Sequence, residues 1–241
     1  MRRHSSGWEP DVRLEKSGSV FVLHLDETEN RFNPDWVAQY IALIDEVEAA
    51  TGPKALVTAG TGKFFSNGLD LEWIIAHQSE APALLDAVHE MFARVLSAAL
   101  PTLAAIQGHA YAAGAMLATA HDYRVMREDR GFFCFPEVDI RIPFTRGMTA
   151  LVSSKVSPQT ATNAMVFGQR FGAPDALRAG LVDETVAAYE VLPAAIAQAE
   201  RLAGKDSATV GAIKRGLYAE TLAALRGADG NTLTESTFVT G

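Results

Sequence analysis

The sequence predicts an α/β domain whose second half is largely helical. Three observations carry that expectation. Apolar runs of strand length recur in pairs ahead of helical stretches through the first half. Beyond Phe144 the apolar spacing is helical, with one strand-like run left at 181–186. An apolar share of 48% and a charged share of 21% are ordinary for a globular chain, and 241 residues suffice for one large domain or two small ones.

Taken in order, residues 1–11 are polar and expected to fray. Runs 12–15 and 19–25, split by Lys16-Ser17-Gly18, read as a β-hairpin whose second strand is apolar enough to lie inside a sheet. Asn33 then offers a helix N-cap, Pro34 the first helical position, and Phe32 a staple against Val37. The stripe of that helix is Val37, Tyr40, Ile41, Ile44 and Val47. Strand 55–59 leads to a glycine turn, Ser66-Asn67-Gly68-Leu69, followed by a short helix over 69–76. A longer helix over 82–100 is ended by Pro101. Strand 102–107 enters a second turn of small residues, 108–116, and Leu117-Ala118-Thr119-Ala120 continues it as a packed helix.

Runs 123–126 and 131–135 read as strands divided by a charged turn. Helices are expected over 147–153, 158–167, 174–179 and 192–203. A last helix over 206–225 carries Val210, Ile213, Leu217 and Leu222 on its packed side. The division is thus a frayed 1–11, a core over 12–200, a C-terminal helical segment over 201–225 and a flexible tail over 226–241.

Composition excludes several functions. A net charge of −8 disfavours nucleic acid, whose phosphates require a basic face. No apolar run approaches the roughly 20 residues of a membrane helix. The start has no apolar segment of a secretory signal and the end is not Ser-Lys-Leu, so the cytoplasm is expected. Cys134 is the single cysteine and reads as a buried packing residue. Gly60-Thr61-Gly62-Lys63 fails both the P-loop and dinucleotide patterns and reads as a tight turn. No Gly-x-Ser-x-Gly elbow is present. His121-Asp122 reads as a helix-end cap with an ion pair to Arg124 or Arg127, and His77, His89 and His121 lack metal spacing. Neither a metal nor a separate cofactor is expected.

Two turns remain that each follow a strand, 63–71 and 108–116. A strand, small residues and then a helix leave unbonded N–H groups at the helix start, where the peptide dipoles add partial positive charge. Small side chains let a ligand oxygen approach, so such turns can hold a developing oxyanion. One carboxylic acid, Glu137, follows in an aromatic setting of Phe132, Phe133, Phe135 and Pro136. Two donor turns and one buried acid suggest enolate chemistry on a carbonyl compound.

The phrases FFSNGLDL, IQGHAYAAGAMLA and FPEVDI, in that order, resemble the signature segments of the crotonase, or enoyl-CoA hydratase/isomerase, family, and most closely its Δ3,Δ2-enoyl-CoA isomerase branch. The likeness runs from about 12 to about 225. It implies a spiral of ββα units with C-terminal helices, a homotrimer or dimer of trimers, and an acyl-CoA thioester substrate. It also implies that the N–H groups of Leu69 and Ala113 hold the thioester oxygen. Ser66, Gly68, Asp70, Trp73, Ala112, Gly114 and Met116 are then expected around the substrate, although Asp70 also reads as a helix cap, Trp73 as a packed helix face and Met116 as core packing.

Hydratases of the family carry two glutamates. The first would fall at Met116, and the second is Glu137. One carboxylate suffices to move a proton from C2 to C4 of a 3-enoyl thioester, so the resemblance implies isomerisation by Glu137, whose pKa burial should raise. The alternatives are a hydratase or another acyl-CoA reaction such as decarboxylation, and a non-catalytic acyl-CoA-binding relative. Arg31, Lys63, Lys214 and Arg215 are candidate partners for the CoA phosphates, and Asp139 and Arg141 a candidate pair within the loop.

Overall fold

The computed structural model describes residues 12–25 and 28–227. The frayed start and nearly all of the expected tail therefore lie outside the described residues. Strands β1 (Val12–Ser17) and β2 (Val20–Leu25) form the expected hairpin. A six-stranded sheet continues through β4 (Ala55–Ala59), β7 (Thr102–Ile106), β9 (Tyr123–Arg127) and β11 (Glu184–Val186) in the order β1-β2-β4-β7-β9-β11, with every neighbour after the hairpin parallel. Parallel strands need long crossovers, which the intervening helices supply.

Alternation along the strands builds two cores. On one face Val20, Val22, Ala55, Val57, Ala59, Leu103 and Ala105 pack against α8 (Val191–Leu202) through Val191, Ala195 and Ala199. The other face packs under α1 (Pro34–Ala49), α3 (Ala81–Ser97), α4 (Ala113–Ala120), α5 (Arg146–Ser153) and the C-terminal helices. Asn33 caps α1 as expected, its side chain accepting from Trp36 N at 2.9 Å.

Several further strands are only two or three residues long, and all but Phe133–Cys134, which lies within the expected strand 131–135, were not anticipated. β3 (Arg31–Phe32) pairs with β6 (Gly68–Leu69), and β5 (Phe64–Ser66), β8 (His109–Tyr111) and β10 (Phe133–Cys134) form a second parallel sheet in the order β10-β8-β5. Segments this short have no readable period, and only tertiary pairing makes them strands. This small sheet sets the two turns and the Glu137 segment side by side.

The last helix differs from expectation. It breaks at Tyr218 into α9 (Ser207–Leu217) and α10 (Ala219–Arg226), so Arg226 ends a helix instead of starting a tail. Leu222 and Leu225 are buried, whereas Ile213 and Leu217 are 61% and 69% exposed. The break rotates the two apolar stripes apart, so one continuous packed face does not exist. Between α5 and α7 (Ala173–Arg178), α6 (Pro158–Ala161) widens into a π turn over 162–166.

Asp122 pairs with neither Arg124 nor Arg127. Arg124 binds Asp183 and Arg127 binds Asp129, while Asp122 Oδ2 accepts from Lys214 Nζ at 2.8 Å. Lys214 is buried and also donates to the Val95 and Leu100 carbonyls, so it clamps α9 to the domain and is not available to a ligand phosphate.

Candidate active site

The first turn is held from within. Ser66 Oγ donates to Asn30 O at 2.7 Å and accepts from Gly68 N at 3.1 Å. Gly68 has φ +82°, a conformation in which a side chain is strained. Asp70 N donates to Phe32 O, and because successive N–H groups of an extended segment alternate in direction, the Leu69 N–H is turned away from β3. Asp70 caps α2 (Leu71–Ala76), accepting from Trp73 N at 3.1 Å.

The second turn is strained. Ala112 has φ 50° and ψ −130°, a region that glycine enters freely and alanine does not. Ala113 is the first residue of α4, so its N–H has no intrahelical partner. The two turns interlock through their glycines. A Cβ on Gly68 would lie 2.9 Å from Ala113 N, and one on Gly114 would lie 2.4 Å from Ser66 O. The backbones of Leu69 and Ala113 are thus brought together by positions with no room for a side chain.

Leu69, Ala112, Ala113 and Glu137 line one cavity of about 480 Å3. Glu137 is 5% exposed and its Oε2 has no hydrogen-bond partner among the described residues. Burial pushes its carboxyl up to about 7, opposed only by a hydrogen bond of its own backbone. Ile142 N donates to Glu137 O at 3.0 Å, folding the 138–144 loop back so that Ile140, Ile142 and Pro143 wall the cavity. Arg141 turns that loop at φ 59°, and among the described residues no ion pair joins it to Asp139. Thr145 then caps α5, accepting from Met148 N and bonded to the buried His89 Nε2 at 2.9 Å. Met148 completes this wall.

Other expected substrate neighbours stand elsewhere. Ser66, Gly68 and Gly114 are buried supports behind the wall, and Asp70 is the helix cap. Trp73 stacks on His77 at 4.5 Å and faces a separate apolar groove with Val37, Ile41 and Leu84. Met116 is fully buried and does not line the cavity. Its side chain packs within the core from one turn into α4, so it contributes neither charge nor wall.

Among the basic candidates, Arg31 lines the cavity but is bound to Glu29 and Glu72 at 2.7 and 3.0 Å. Lys63 sits over the Phe64 ring, and neither it nor Arg215 lines the cavity. Asn67, Tyr111, Met148 and Arg170 do line it and were not singled out from sequence. Arg170 arrives because Phe133 and Phe171 exchange backbone hydrogen bonds at 2.9 and 3.0 Å, a contact with no local sequence signal. Among the described residues no cluster of His, Cys, Asp and Glu could hold a metal ion, and no helix is long and apolar enough to cross a membrane.

Residues 15–237 match the family model for enoyl-CoA hydratase/isomerase. Enoyl-CoA delta isomerase 3 of Arabidopsis thaliana is 38% identical, over 86% of this chain and 92% of its own length. A putative enoyl-CoA hydratase of Thermus thermophilus is 31% identical, over 80% of this chain and 77% of its own. A solved apo structure described as the Mtb enoyl-CoA isomerase superposes with a TM-score of 0.84 at 27% identity, covering 90% of this chain and 95% of that one.

Proposed function

The chain belongs to the enoyl-CoA hydratase/isomerase family, and on that premise we propose that it is a Δ3,Δ2-enoyl-CoA isomerase with a single acid/base residue, Glu137. As carboxylate, Glu137 removes a proton from C2 of a 3-enoyl thioester. The electron pair of that C–H bond delocalises into a dienolate, and negative charge develops on the thioester oxygen. The backbone N–H groups of Leu69 and Ala113 hold that oxygen. Each such donor contributes roughly 3–4 kcal/mol to lowering the barrier. The protonated carboxyl then delivers the proton to C4, and the double bond moves from C3–C4 to C2–C3. Atoms balance without water or a second reactant.

One observation carries the reading. A buried carboxyl with one oxygen unpartnered among the described residues shares its cavity with Leu69 and Ala113 of the two turns, while the position where a hydratase would have its other glutamate holds a buried Met116. The remaining cavity carboxylate, Glu72, is exposed and paired with Arg31. A carboxyl near pH 7 in its titration can accept and return a proton at similar free energy, which suits a proton shuttle.

The test offers a 3-enoyl-CoA and a 2-enoyl-CoA and follows conjugation and hydration separately. Isomerisation without comparable hydration is expected, and hydration at a comparable rate would overturn the reading. Binding of both with turnover of neither would make the chain a non-catalytic binder. The proposed assembly is a homotrimer or dimer of trimers, checked by light scattering. The proposed compartment is the cytoplasm, checked by localising a fluorescent fusion of the full-length chain.

A further inference from the structure

Arg170 is an exposed arginine on the wall of the cavity that holds Glu137. The other cavity arginine, Arg31, is neutralised by two carboxylates, but among the described residues Arg170 has no ion pair. Its only described polar contact is with the Cys134 thiol. Its backbone position is nonetheless fixed, since the neighbouring Phe171 is locked to Phe133 by two hydrogen bonds. An exposed cation held in place with no acidic partner gives the fold nothing that an uncharged residue would not.

Arg170 and Glu137 line the same cavity, but no ion pair joins them among the described residues. The elevation of Glu137 comes from burial, with no contribution from any cation. Arg170 does act on Tyr111, another wall residue, and together with Lys63 and Arg130 on the adjacent His109, holding that histidine below its usual range after burial. Three cations thus gather beside His109 and Tyr111 in a chain whose net charge is −8, with Glu137 and Asp139 as the carboxyl groups that act on the neighbouring Cys134. Such a cluster attracts anions only at that wall.

We propose that Arg170 is a specificity-determining residue that binds an anionic oxygen group which the thioester carries away from its reacting carbon. The ligand chemistry is a phosphate or a carboxylate. It can come from the nucleotide moiety of coenzyme A or from an acid group at the far end of the acyl chain. A guanidinium recognises both through paired N–H donors. The inference rests on the isomerase reading only for its substrate class, so its test is a binding measurement that requires no turnover.

Calorimetric titrations with octanoyl-CoA, octanoyl-pantetheine and ω-carboxyoctanoyl-CoA would compare the natural chain with Arg170→Gln, with Arg178→Gln as a surface control. A phosphate partner predicts that Arg170→Gln weakens both CoA thioesters by about tenfold and leaves the pantetheine thioester unchanged. A carboxylate partner predicts that only the ω-carboxy compound weakens, with Arg170→Lys restoring part of the loss in either case. The proposal is overturned if Arg170→Gln leaves both CoA compounds within twofold, if all three weaken equally, or if the natural chain binds none of them. A chain that binds as predicted but turns over no 3-enoyl-CoA would sink the isomerase reading and leave Arg170's role standing.

Discussion

The cavity has one wall made of backbone and one made of side chains, and the two obey different rules. Around Leu69 and Ala113 the functional groups are amides, and the constraint falls on neighbouring glycines with no room for a Cβ. Around Glu137 the functional group is a carboxyl, and the constraint is burial by Phe135, Pro136 and the returning 138–144 loop. Side-chain changes at Leu69 should therefore be mild while changes at its glycine neighbours are severe. On the other wall the identity of residue 137 should matter most.

The largest expected effect breaks the side-chain wall. Glu137→Gln keeps size and burial but removes the base, and isomerase turnover should fall by roughly 10²–10⁴-fold in a spectrophotometric conjugation assay. The same substitution should act oppositely on stability. The folded pKa of Glu137 lies above its ordinary 4.5, at about 7. Its contribution is fully present below about pH 4.5 and is lost as pH rises through 7, because the native state must then ionise a buried acid. The shift corresponds to roughly 3 kcal/mol. Denaturant melts at pH 4.5 and 8 should show that loss in the natural chain, and Glu137→Gln should remove it.

Changes on the backbone wall follow in decreasing order. Gly114→Ala drives a methyl into the Ser66 carbonyl and should cost roughly 1–3 kcal/mol in a denaturant melt. Ala112→Gly relieves the strained φ and should raise stability by about 1 kcal/mol, the strain released exceeding the added unfolded-state entropy. Leu69→Ala retains the donor, so kcat should stay within about threefold while KM responds to the wider cavity. A large kcat loss in Leu69→Ala would show that the side chain, and not the amide, acts on the reaction.

Legibility in the sequence followed the same division. The helix at Asn33-Pro34, the long strands and both turns are local patterns, and each was readable from a few adjacent residues. Glu137 was readable because its aromatic neighbours are its sequence neighbours. Arg170 was not, since a two-residue backbone exchange across Phe133 and Phe171 brings it to the cavity. Trp73 and Met116 do not line the cavity and take the packed positions that the sequence also allows, because a helix start fixes the direction of its first turn but not which later side chain faces the ligand. Lys214 reads as a candidate partner for the CoA phosphates, and only the fold reveals its partner Asp122. The split at Tyr218 had a local signal in Gly216, two residues before it, which the apolar spacing of 206–225 overrode.

The central claim, that a buried carboxyl at residue 137 performs the proton transfer, is tested most directly by the pH dependence of kcat/KM on a 3-enoyl-CoA. The account predicts a rate that rises with pH through an apparent pKa of about 7 in the natural chain, and a flat trace of residual activity in Glu137→Gln. A Glu137→Gln enzyme that keeps the full rate and the same rise would contradict it.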